Sequence, residues 1–129
     1  MARPIHQMLR VQDERRSCDF YLEAFGLDVA QRLEFDDFTL VYLRGDEDPF
    51  EVELTINKDH GPYDLGDGYG HLAVSVEDLE AERARMADAG LDPGEIRTLS
   101  NDGFTATYFF ISDPDGYKIE VLQRGGRFV

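Results

Sequence analysis

The chain is written twice. "IHQMLRVQDERR", "AFGLD" and "FEVELT" in the first half return in the same order as "GHLAVSVEDLEA", "DAGLD" and "YKIEVL" in the second. His6 and His71 stand 65 residues apart (71 − 6), as do Val11 and Val76, and Asp13 and Asp78. Gly26-Leu27-Asp28 recurs as Gly90-Leu91-Asp92, and Glu53 answers to Glu120. A duplication within 129 residues leaves about 60 residues per copy, too few for a secure core of its own. The copies are therefore expected to fold together as one domain over residues 1–129, with modules at 4–57 and 69–124, or to pair with another chain.

Each copy reads β-α-β-β-β. In "IHQMLRV", His6, Met8 and Arg10 alternate with Ile5, Gln7, Leu9 and Val11, the period of a strand. Asp13 suits a helix N-cap, and Cys18, Tyr21, Leu22 and Phe25 then form an apolar stripe at i, i+3, i+4 and i+7. Gly26 suits the C-cap. "VAQRLEF" and "FTLVYLR" face each other across Asp36-Asp37 as a hairpin. In "FEVELTI", Glu51, Glu53 and Thr55 take one face, and Val52, Leu54 and Ile56 the other. The second copy repeats the order: "GHLAVSV", a helix capped by Asp78, a strand of loose limits between Leu91 and Gly103, then "FTATYFFI" and "YKIEVLQ". "DPDG" between the last two is turn chemistry, with Pro114 fixing φ and Gly116 accepting φ > 0. Residues 57–69 read as a linker, and the tail "RGGRFV" as loose.

Charge narrows the partners. Thirteen Lys and Arg against 27 Asp and Glu give a formal −14, the wrong sign for nucleic acid or an acidic membrane surface. Nine Phe and six Tyr supply a core without tryptophan. One cysteine, Cys18, makes no intrachain disulfide and fits a reducing compartment. No apolar run reaches the length of a membrane span, and the N-terminus lacks a signal-peptide pattern. The expected location is the cytoplasm.

Two His and two Glu at matched places are a candidate shell for a divalent metal. Zinc, nickel, cobalt and iron(II) all accept imidazole nitrogen and carboxylate oxygen. Two carboxylates cancel the +2 of the cation. Glu53 lies opposite a Val-Leu-Ile stripe, and Glu120 alternates with Ile119 and Val121. Both therefore point away from the apolar face, and burying them without a cation or proton would be costly. If each copy curls its sheet into a half-barrel, the polar faces of two copies can meet at one point. His60 has no counterpart and reads as surface; Cys18 reads as packing, not as a nucleophile.

These residues resemble the vicinal oxygen chelate superfamily, an α+β fold of two βαβββ modules forming half-barrels, as in glyoxalase and bleomycin-resistance proteins. Within it the chain is similar to the bacterial glyoxalase I (lactoylglutathione lyase) family. The segments that carry the likeness are "HQMLRVQDERRSCDFYLEAFGLDV", "VELTIN", "YDLGDGYGHLAVSV" and "DPDGYKIEVL", spread from residue 6 to 122. The resemblance implies metal ligands His6, Glu53, His71 and Glu120, with one divalent ion per site, nickel or cobalt ahead of zinc. It implies Arg10 and Asn57 as substrate-binding residues toward glutathione. It implies a homodimer with the site at the interface, two ligands coming from each subunit. The implied reaction is methylglyoxal detoxification: isomerisation of the methylglyoxal–glutathione hemithioacetal to S-lactoylglutathione through a metal-stabilised enediolate. Glu120 would be the main base and Glu53 its counterpart.

One departure stands out. The family brings lysines from the loop before "DPDG"; here "RTLSNDGFTATYFF" has Arg97 and Asp102 but no Lys, and Lys58, next to Asn57, is the residue expected to compensate. The alternatives are another metalloenzyme of this fold, with a methylmalonyl-CoA-type epimerase first, then a fosfomycin thiol transferase or a ring-cleaving dioxygenase, or else a non-enzymatic bleomycin-binding module. Transferases and dioxygenases need only two His and one Glu, so the fourth donor, Glu53, favours proton transfer. A binding module leaves the matched donors without a reason.

Overall fold

The computed structural model describes residues 1–129. The chain divides into two compact units, Met1–Asp64 and Leu65–Val129. The first runs β1 (His6–Arg10), α1 (Glu14–Phe25), β2 (Asp28–Glu34), β3 (Phe38–Arg44) and β4 (Glu51–Asn57). The second runs β5 (Leu72–Val76), α2 (Leu79–Asp88), β6 (Arg97–Asn101), β7 (Phe104–Ser112) and β8 (Lys118–Gln123). Each unit holds one four-stranded sheet, ordered β1-β4-β3-β2 and β5-β8-β7-β6. In both, the first strand pairs parallel with the last and the other pairings are antiparallel. The duplicated sequence thus gives a duplicated topology. No helix is long and apolar enough to cross a membrane.

Local chemistry sets the element ends. Asp13 sits in extended backbone and its carboxylate accepts the Arg16 N–H at 2.9 Å; Asp78 does the same for Ala81 at 3.0 Å. Each satisfies one of the orphan donors of a helix start. Gly26 closes α1 at φ 68° and donates to the Leu22 carbonyl at 2.9 Å, a left-handed cap that glycine adopts without Cβ strain. Phe35 N–H to Phe38 O, 2.8 Å, closes the hairpin over Asp36-Asp37.

The sheets are two-faced. Val41, Leu43, Val52 and Leu54 are buried on one side of the first sheet, and their alternates Tyr42, Glu51 and Glu53 are only half-buried. Phe109, Ile111, Ile119 and Val121 take the buried side of the second. That alternation comes from the two-residue period of the strands and aims the glutamates away from the apolar layer.

Two expectations are corrected. Helix α1 buries Ser17, Phe20, Tyr21 and Ala24, not the stripe of Cys18, Tyr21, Leu22 and Phe25; Leu22 is exposed and Cys18 half-buried. Both sets have helical spacing and share Tyr21. Ser17 and Ala24 are small, and a count of large apolar residues overlooks them. The tail is not loose. Gly125 and Phe128 exchange backbone bonds at 2.9 Å, Phe128 packs edge-on to Phe104, and Arg124 bonds Ser75 Oγ at 3.2 Å and Ser75 O at 3.0 Å. The tail helps line a cavity of about 330 Å³, which neither His71 nor Glu120 touches.

Candidate metal centre

Each unit gathers one histidine and one glutamate. His6 opens β1, and Glu53 is the third residue of β4 beside it; parallel pairing of Met8 with Glu53 brings His6 Nε2 to 3.8 Å from the Glu53 carboxylate. His71 directly precedes β5, and pairing of Ala73 with Glu120 brings His71 Nε2 to 3.4 Å from Glu120. The carboxylates are the more buried members, at 12% and 19% side-chain exposure against 34% and 39% for the imidazoles. Neither unit by itself gathers three metal-ligating side chains.

The spacing suits two donors to one cation. A nitrogen and an oxygen each about 2.1 Å from a divalent ion lie roughly 3.4 Å apart at the tetrahedral angle. The Glu120 pair already has that separation, and the Glu53 pair needs a few tenths of an ångström of side-chain rotation. The donor chemistry fits as well, imidazole and carboxylate being ligands that nickel, cobalt and zinc accept. Either pair alone gives only half a shell.

An aromatic ring stands at each pair. Tyr42 is the β3 neighbour of Glu53 and lies edge-on to His6, centroids 5.8 Å apart at 71°. Phe110 is the β7 neighbour of Glu120 and lies edge-on to His71, 5.2 Å apart at 76°. Hydrogen bonding toward Glu53, then burial and the charge of that carboxylate, push the ionisation of the Tyr42 phenol above its usual range. Sequence reading passed over Tyr42. The signal was there: "TLVYL" and "TYFFI" occupy the same strand in the two copies.

Arg10 and Asn57 share the face of His6 and Glu53, four residues further along β1 and β4, or about 13 Å at strand spacing. Asn57 donates its amide N–H to the Tyr63 hydroxyl at 3.0 Å, and the Tyr63 ring stacks on His60 at 4.1 Å. His60 is exposed at its ring-stacked position in the loop after β4. In the second unit Asp113 of "DPDG" is buried and structural. Its carboxylate accepts the N–H of Asp115 at 3.0 Å and of Tyr117 at 2.9 Å, holding the turn that leads into β8 and Glu120.

Residues 3–121 match the model of the glyoxalase/bleomycin resistance protein/dioxygenase superfamily. The chain belongs to that superfamily. Among superfamily members, it is 39% identical over 126 residues to the lactoylglutathione lyase of Neisseria meningitidis serogroup B, covering 95% of this chain and 91% of the relative. It is 35% identical to that of Haemophilus influenzae, covering 92% and 90%. Among solved structures, glyoxalase I of Leishmania major, described as trypanothione-dependent, matches with TM-score 0.76 and 34% identity over 95% of this chain and 87% of that one. Zea mays glyoxalase I matches with TM-score 0.80 and 30% identity; the likeness covers 96% of this chain and 45% of that longer one. The two-module α+β fold expected from the repeat is therefore the fold of glyoxalase I.

Proposed function

We propose that this superfamily member is a lactoylglutathione lyase, a glyoxalase I that isomerises the methylglyoxal–glutathione hemithioacetal to S-lactoylglutathione. The observation that carries the reading is the His–Glu pair repeated in both units, in a chain whose full-length relatives are lactoylglutathione lyases.

His6, Glu53, His71 and Glu120 would hold one divalent cation, with nickel or cobalt ahead of zinc. When bound, that ion supplies Lewis-acid stabilisation of the negative charge that develops on the substrate oxygens. The chain's own residues do the rest. Glu120 takes the proton from the substrate carbon that bears sulfur and returns it to the neighbouring carbonyl carbon, while the hydroxyl proton passes from the oxygen of the first carbon to that of the second, so that atoms balance and no redox partner is needed. Glu53 would serve as its counterpart. Arg10 and Asn57 receive the peptide part of the thiol. Their distance of about 13 Å along the strands from His6 and Glu53 suits an extended tripeptide, which spans roughly 10 Å. The chain works as a homodimer, each site taking one His–Glu pair from each subunit, in the cytoplasm where Cys18 stays reduced.

Protein loaded with nickel, cobalt or zinc and given methylglyoxal and glutathione should form thioester, and chelator-treated protein should not. Absence of thioester from metal-replete dimer would sink the assignment. Turnover of methylmalonyl-CoA instead would move the protein to the epimerases of the same fold.

A further inference from the structure

The two half-sites share three groups, and in the third of them the copies differ by one oxygen atom. Each has an imidazole, a carboxylate and an aromatic ring as the cross-strand neighbour of that carboxylate. Directly opposed residues on adjacent strands keep their Cβ atoms about 5 Å apart, close enough for a phenol to reach a carboxylate. On β3 the ring is Tyr42, directly across from Glu53, so that its hydroxyl lies within reach of the carboxylate. On β7 it is Phe110, which has no donor. Both rings are half-buried and edge-on to their histidines, so the backbone placement that aims Tyr42 at Glu53 is reproduced beside Glu120 without the hydroxyl.

We infer that Tyr42 is a positioning residue that makes the two carboxylates unequal: its hydroxyl tethers Glu53 in the ligand position and leaves Glu120, beside Phe110, as the carboxylate free to swing and carry the proton. The division of labour is thus written in the third strand of each module. This inference rests on the glyoxalase reading for the proton step, while the effect of the tether on metal affinity is read without it. A hydrogen bond from a neighbouring side chain orients a liganding carboxylate, and its loss commonly weakens metal binding tenfold or more.

Two substitutions move the oxygen. Tyr42→Phe removes it from Glu53, and Phe110→Tyr places one beside Glu120. Metal dissociation constants of the dimers are measured by chelator competition, kcat and KM with the methylglyoxal–glutathione adduct, and solvent-deuterium uptake into product by NMR. Tyr42→Phe should weaken metal binding about tenfold. Phe110→Tyr should tighten it, lower kcat about tenfold with KM within about twofold, and reduce deuterium uptake as the tethered carboxylate exchanges its proton less freely. An unchanged metal dissociation constant in Tyr42→Phe, or an unchanged kcat in Phe110→Tyr, overturns the inference. If the parent protein binds metal yet fails to turn over the adduct, the glyoxalase reading falls separately, and the metal-affinity comparison of the two variants still decides the tether.

Discussion

Because each unit carries two of the four proposed donors, subunit mixing tests how sites are shared. Glu53→Gln and Glu120→Gln are each expected to form dimers with little activity, the first damaging the donor pair of β1 and β4, the second that of β5 and β8. Suppose a site takes the first pair from one subunit and the second from the other. In a mixed dimer one site then collects both lesions and the other collects none. Random exchange from equal amounts puts half of the molecules in mixed dimers, and half of their sites are intact, so about a quarter of the parental activity returns. The assay is thioester formation before and after exchange, in mild denaturant followed by dilution, with metal content measured alongside. His6→Ala mixed with Glu53→Gln is the control. Both lesions lie in the same pair, every mixed site keeps one of them, and no activity should return. If Glu53→Gln and Glu120→Gln also fail to rescue each other, although mass spectrometry shows mixed dimers, the shared-site reasoning is refuted and the pairs meet within one chain.

Three further outcomes follow from local geometry. Asp113→Ala strips two backbone N–H groups of a buried carboxylate acceptor and should lower unfolding free energy by roughly 3 kcal/mol, read by urea denaturation; Asp113→Asn keeps one acceptor oxygen and should lose about half as much, and a loss below about 1 kcal/mol for Ala contradicts the role given to the turn. Gly26→Ala meets no atom within 4 Å but keeps φ at 68°, so it should cost about 1 kcal/mol from backbone strain alone, with activity preserved; a neutral result in thermal unfolding would show that the cap relaxes. Burial, then the nearby Glu14 and Asp19, pushes the Cys18 thiol up to about 11, so at pH 8 iodoacetamide should modify it roughly a hundredfold more slowly than a free cysteine, the rate climbing as pH approaches that value. Fast labelling at pH 8 would place Cys18 in a more open or more positive setting.

Much of the candidate site was legible because strands alternate. Once Glu53 lay opposite Val52 and Leu54 in "FEVELTI", its face was settled, and the repeat carried the same reading to Glu120. Capping was equally local: Asp13, Asp78 and Gly26 act through bonds within a few residues, and so could be read from neighbours. What failed depended on distant packing. The rotation of α1 is decided by which side the sheet accepts, and "SCDFYLEAF" offers two apolar stripes one residue apart. The tail looked free because its partners, Ser75 and Phe104, lie 49 and 24 residues away in the chain (124 − 75, 128 − 104). Tyr42 was missed for a different reason. Its importance comes from strand register, which places it beside Glu53, and no single strand shows that.

The parallel seams between β1 and β4 and between β5 and β8 also set a timetable. The first strand of each unit leaves the ribosome long before the last, and a parallel partner cannot be reached by a tight hairpin. The imidazole therefore waits through a helix and two strands before its carboxylate arrives, so neither proposed donor pair is assembled until the last strand of its unit is in place.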